Sequence, residues 1–172
     1  SQLTSQPDID RACRELVYGP NKVCGLRSGS AAQAAKACGA VYGGLIFDDA
    51  SPRNVSRETA TDIIAAEPGL DYVAVSRRTS GYDELVQPGI TAVQIHAPYQ
   101  GSVEAELALI ESVRKEVDVE VWRAVSMTQP DGEKVAEAVA GVVDKLVLDA
   151  HDGGSGERFD WTRVPDAVKQ KA

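Results

Sequence analysis

Apolar residues along this chain follow two rhythms. Short, almost continuous β-rich runs occur at Lys22–Leu26 (KVCGL), Val41–Phe47 (VYGGLIF), Tyr72–Ser76 (YVAVS), Thr91–Ile95 (TAVQI), Glu120–Val125 (EVWRAV) and Lys145–Asp149 (KLVLD). Strands read this way when both of their faces are covered. Between the runs, apolar residues recur three and four positions apart, the spacing of a helix with one buried stripe. Ser30–Cys38 is Ala-rich and stops at Gly39, a helix-ending glycine. Ser56–Ala66 opens on Ser56 as N-cap, although Thr59 does not complete a capping box. Ser102–Val117 carries Leu107, Ile110, Val113 and Val117, and Asp131–Gly141 and Trp161–Lys171 follow. Gly81–Gln87 is a short helical stretch at most.

Strand, helix and strand in repetition imply right-handed crossovers and a parallel sheet. Six strands are counted here, whereas a closed (β/α)8 TIM-type barrel usually takes about 200 residues or more. As a barrel the chain is short by roughly two βα units, and an open doubly wound sheet fits the length better. Periodicity does not separate the two. Before the first strand, Ile9–Val17 (IDRACRELV) has helical spacing and Gly19-Pro20 breaks it. Residues 1–20 are therefore read as an N-terminal helix or linker. They either decorate the same domain or end an upstream one, and residues 21–172 carry the strand–helix repeats, which are incomplete at the C-terminus if they form a barrel.

Composition narrows the partners. Of 172 residues, 43% are hydrophobic and 26% charged, which suits one globular domain with a real core. No apolar run approaches a membrane span and no signal-like segment opens the chain, so neither membrane partner nor secretion is expected, and the cytoplasm is the default. A net charge of −8, with 26 acids against 18 dispersed bases, argues against nucleic acid. An anionic small substrate would need local cations and backbone N–H groups to overcome the same field. Cys13, Cys24 and Cys38 contain no CxxC pair, so neither a disulfide framework nor zinc is expected. Each cysteine by itself reads as a small buried apolar residue.

In parallel βα folds the chemistry sits where the carboxyl ends of the strands converge. The reactive groups there are Cys24 after the first strand, Arg53 in the loop after the second, Gln94 and His96 on the fourth, and Asp149 on the sixth. Each has a bland reading: a buried thiol, a solvated loop Arg, a hydrogen-bonded rim His, a loop Asp. A carboxyl ending an apolar run can instead be held protonated near neutral pH and act as a general acid. A thiol beside Gly25 can face a ligand, though as a base it needs a cationic or dipolar neighbour. Arg53 is a natural bidentate clamp for a carboxylate. Asp152–Gly156 (DGGSG) lacks nucleotide-loop spacing and reads as a hinged cover over the site.

VDKLVLDAHDGGSGERFDW, taken with NKVCGLRSGSAAQAAKACGAVYGGLIFDDASPRNVS, closely resembles the phosphoribosylanthranilate isomerase family. The likeness covers about residues 21–162 and keeps the order and spacing of the motifs. It implies a (β/α)8 barrel without metal or organic cofactor, catalysing the Amadori rearrangement of N-(5-phosphoribosyl)anthranilate, a phosphorylated small molecule, in tryptophan biosynthesis. Asp149 would be the general acid that opens the ribose ring. Cys24 would be the base that takes the C2 proton, and Arg53 would hold the anthranilate carboxylate. Gln94 and His96 would bind substrate, and loops after strands seven and eight would take the phosphate. DIDRACRELVYGPNKVCG resembles the junction of a fused form in which indole-3-glycerol-phosphate synthase precedes the isomerase. Two departures stand out: Ala97-Pro98 follows His96 where the family favours Gly, and Ser76-Arg77-Arg78 replaces Phe-Arg-Asn. The rival readings are another phosphosugar barrel enzyme, or a non-catalytic barrel fragment that needs a complementing piece.

Overall fold

A computed structural model describes residues 6–149. The helix expected at Trp161–Lys171, the loop Asp152–Gly156 and the GGSGERFDW motif lie outside the described residues. In chain order the elements are α1 (Gln6–Tyr18), β1 (Lys22–Cys24), α2 (Gly29–Ala37), β2 (Tyr42–Ile46), α3 (Arg57–Ala66), β3 (Asp71–Ser76), β4 (Ile90–Ile95), α4 (Val103–Glu116), β5 (Glu120–Ser126), α5 (Gly132–Ala140) and β6 (Lys145–Asp149), with a 3-10 turn at Tyr82–Leu85.

All six expected strands form, and the caps explain where helices start. Ser56 accepts the N–H of Thr59 and Ser102 that of Ala105, each satisfying one of the otherwise unpaired first-turn donors. Ser28 does the same for α2, two residues before the start expected from its Ala-rich run. Gly39 takes φ +96 just after that helix, a conformation cheap for glycine alone. β1 ends two residues early. Gly25 turns to φ +81, and the N–H groups of Gly25 and Leu26 both donate to the Gly44 carbonyl, so the extended run cannot continue to Leu26.

The chain forms two compact units. One runs through Val75 and takes in Leu85–Thr91; the other takes Ser76–Glu84 and continues from Ala92. In the first, β1 pairs parallel with β2 and β2 with β3, Cys24 standing opposite Gly44. Its core holds Val41, Leu45, Ile63, Tyr72 and Val73. The Tyr72 hydroxyl, 2.6 Å from the Glu67 carbonyl it donates to, is pushed up to a pKa of about 12, chiefly by burial. α1 is tied to this unit by two arginines: Arg14 donates to the carbonyls of Ala40 (3.0 Å) and Gly69 (2.9 Å), and Arg11 to Asp71 (2.8 Å). Those acceptors lie at the amino ends of β2 and β3, opposite the strand ends at which Cys24 and Arg53 lie.

In the second unit the N–H of His96 donates to Ser76, the last residue of β3, and β4 pairs with β5 and β5 with β6, all parallel. Within each unit every strand therefore lies beside the next in the chain. These are six parallel strands of a (β/α)8-type fold, alternating with helices along the described residues. Val93, Ile95, Ile110, Val113, Val121, Trp122, Val135, Val139 and Leu146 build the core here. No helix among the described residues is long and apolar enough to cross a membrane.

Two expectations need correction. Burial is nearly continuous in β2 to β5 but not in β1 or β6, because among the described residues each of these two pairs along one edge only. The three cysteines are all exposed rather than buried. Cys38 caps the end of α2, and Cys24 ends a three-residue strand against a glycine that offers no side chain to cover it.

Candidate active site

The first unit brings Cys24 and Arg53 together. A Cβ built on Gly44 would sit 2.9 Å from the Cys24 sulfur, so only glycine there leaves the thiol its present room. A Cβ on Gly25 would sit 2.8 Å from Cδ and 3.0 Å from a terminal guanidinium nitrogen of Arg53. The Arg53 side chain thus lies across the residue that follows Cys24. Its loop is stapled from within. Asn54 accepts the N–H of Asp48 (2.9 Å), the Arg53 N–H donates to the Ser51 hydroxyl (3.2 Å), and Val55 N–H returns to the Ile46 carbonyl (2.9 Å). Lys22, two positions before Cys24 and hence on the same strand face, has its ammonium pKa lowered by burial, with the Cys24 thiol acting in the opposite sense.

The second unit brings His96 and Asp149 together in one cleft of about 580 Å³. Its walls come from the carboxyl ends of β3, β4, β5 and β6 and the loops that follow, and include Arg77, Pro98, Ser126, Thr128 and Gln129. Asp149 is positioned by β-pairing opposite Ser126, and its carbonyl accepts the N–H of Met127 at 2.8 Å. Gly132, where α5 begins, allows that turn to approach: a Cβ there would meet the Ser126 carbonyl at 2.9 Å. Gln94 is buried at 3% exposure and does not line the cleft; its amide nitrogen lies 3.5 Å from Nδ1 of His96. It touches the imidazole from below the surface.

Sequence reasoning missed the group that shapes this cleft. Arg123, in the middle of β5, is 2% exposed, and Glu106 on α4 is 0% exposed. They form a two-pronged ion pair at 2.8 and 2.9 Å. Arg123 also donates to the carbonyls of Ile95 (3.1 Å), Ala97 (2.8 Å) and Pro98 (3.3 Å), while Glu106 accepts the N–H of Gln100 at 3.0 Å. Together they fix the chain on both sides of His96. One signal was in the sequence: an Arg inside the apolar run EVWRAV must find a partner if the strand is covered. Nothing in the sequence said which acid that partner would be.

Chemically, the cleft offers a carboxyl and an imidazole on rigid strand ends, with guanidinium, hydroxyl and amide donors around them. That set suits proton transfer to a polar, anionic small molecule.

Comparison with known proteins gives a consistent result. The family model described as N-(5'phosphoribosyl)anthranilate (PRA) isomerase matches residues 21–172. A "Tryptophan biosynthesis protein TrpCF" of Corynebacterium glutamicum is 71% identical over 174 residues, covering 100% of this chain and 37% of that protein. A protein of the same name in Yersinia pestis is 37% identical, covering 96% and 34%. The chain spans about a third of the length of these curated relatives. Among solved structures, phosphoribosyl anthranilate isomerase from Thermotoga maritima matches with a TM-score of 0.60 at 24% identity, over 82% of this chain and 67% of that one. At that identity the likeness concerns the fold.

Proposed function

The chain belongs to the N-(5'phosphoribosyl)anthranilate isomerase family, and from that premise we propose that it isomerises N-(5-phosphoribosyl)anthranilate to 1-(2-carboxyphenylamino)-1-deoxyribulose 5-phosphate in tryptophan biosynthesis. The observation that carries the reading is the location of Asp149 and Cys24, each at the carboxyl end of its own parallel strand. Asp149 protonates the ribose ring oxygen and opens the ring to an iminium. Cys24 then removes the C2 proton, and the enolamine tautomerises to the aminoketose. Ring opening breaks the C1–O bond as the nitrogen lone pair forms the iminium, the proton Asp149 gives is matched by the one Cys24 takes, and the enol proton is replaced by one at C1, so atoms and electrons balance without a redox partner.

The supporting groups take roles that follow from their surroundings. Arg53, held across Gly25 next to Cys24, grips the anthranilate carboxylate through its planar fork. His96 presents its ring to the substrate from the cleft wall, and Gln94 orients that ring. A cytoplasmic setting, and an indole-3-glycerol-phosphate synthase domain joined to this one, are parts of the same proposal. Relatives named TrpCF that extend well beyond the matched region support the second.

The direct test is turnover of N-(5-phosphoribosyl)anthranilate by the full-length protein; absence of turnover overturns the reading. A second test concerns the clamp. Arg53→Lys is expected to raise KM several-fold with kcat little changed. The charge survives but the bidentate grip is lost, and lost uniform binding appears in KM alone. An unchanged KM would remove Arg53 from the site.

A further inference from the structure

We propose that Arg77 is a second oxyanion-binding residue of this site, gripping a carboxylate or phosphate group of the substrate in the cleft lined by Asp149 and His96. The inference rests on the substrate class proposed above and adds to it a residue and a chemistry.

Three observations converge. First, Arg77 lines the cleft, and its guanidinium has no hydrogen bond or ion pair among the described residues. The other guanidinium lining the cleft is committed: Arg123 is spent on Glu106 and three backbone carbonyls. Arg78, the next residue, is likewise tied, to Glu84 at 3.0 Å and to the Gly81 carbonyl at 3.3 Å.

Second, the backbone that carries Arg77 is pinned on both sides. The hydroxyl of Tyr82, a fully buried side chain, lies 2.9 Å from the carbonyl of Ser76 and 2.9 Å from that of Arg78. Burial raises the pKa of this phenol further, so the hydroxyl stays protonated as a donor at neutral pH. The N–H of Arg78 returns to the Ser76 hydroxyl at 3.3 Å, and the Tyr82 N–H is held by Glu116 at 2.9 Å. A backbone held in this way favours ligand binding by the side chain it carries, because less freedom is lost when the ligand arrives.

Third, the electrostatics call for a cation at this point. The chain carries a net charge of −8, and the cleft contains the carboxyl of Asp149. A substrate with both a carboxylate and a phosphate must meet local positive charge on entering. Ser126, Thr128 and Gln129, on the same cleft, add neutral donors. A guanidinium fork fits either oxyanion in bidentate fashion, which gives both grip and orientation.

The test uses the full-length protein with two probes, each carrying one anionic group: anthranilate for the carboxylate and inorganic phosphate for the phosphate. Dissociation constants are measured by titration calorimetry for wild type, Arg77→Gln and Arg77→Lys. Arg77→Gln is expected to weaken one probe about tenfold, the scale of one lost charge-assisted hydrogen bond. Arg77→Lys should recover part of that, and the unfolding midpoint should not move. Weaker anthranilate binding assigns Arg77 to the carboxylate, and weaker phosphate binding assigns it to the phosphate. Unchanged binding of both probes, or no wild-type binding of either, overturns the proposal. Wild-type turnover of N-(5-phosphoribosyl)anthranilate, recorded on the same sample, reports separately on the function.

Discussion

Asp149→Asn and Cys24→Ser are each expected to lower isomerase turnover by about 10²–10⁴-fold, the usual loss when a general acid or base is removed. Both substitutions keep size and shape, and both positions are open enough to accept them. Cys24 is exposed and Asp149 is part-buried on the cleft wall. Stability should therefore change little, and the measured loss should fall on chemistry. Asn cannot deliver the proton that opens the ribose ring. Ser, with a far higher hydroxyl pKa than a thiol, cannot take the C2 proton near neutral pH. The double variant separates the roles further. Groups that act in successive proton transfers lose less together than the product of the single losses once the slower step has stalled. Near wild-type turnover in either well-folded variant would withdraw that residue's assignment.

Arg123→Met is expected to be the most destabilising single change at the site, by about 3–5 kcal/mol, because it leaves a buried carboxylate without its partner. Glu106 is wholly buried, so its charge has no route to water. Glu106→Leu should cost a comparable amount for the mirror reason. Their combination should cost clearly less than the sum, since an apolar pair of similar volume removes both uncompensated charges. Recovery will be partial: the Gln100 N–H and the carbonyls of Ile95 and Ala97 would still lack their partners. Urea unfolding of the four proteins measures this cycle. Single variants that each cost under about 1 kcal/mol would mean that the pair does not hold the cleft wall.

Much of this protein was legible in one dimension. All six strands and the starts of α3 and α4 follow from local rules: unbroken apolar runs, three- and four-residue spacing, and Ser56 and Ser102 capping their own helices. The proposed site residues were legible by address. A parallel βα chain sends the ends of its strands to one side, and Cys24, His96 and Asp149 lie at or just past such ends.

What the sequence left open depends on neighbours distant along the chain. Strand partnership was one case. β1 pairs with β2 and β5 with β6 across an intervening helix, and no local propensity encodes that choice. The pairing of Arg123 with Glu106, seventeen positions apart, was another. Several acids could have served, and packing of α4 on β5 selected one. Cys24 could be read as a buried thiol or as one facing a ligand, and a glycine on the adjacent strand and an early left-handed turn at Gly25 uncover it. Arg77 and Arg78 read alike in sequence, yet the fold pairs one and leaves the other facing the cleft. Local patterns decide which residues form an element, because they act through bonds a few positions long. Partnership, exposure and charge environment are properties of contacts, and contacts exist only once the chain has closed on itself.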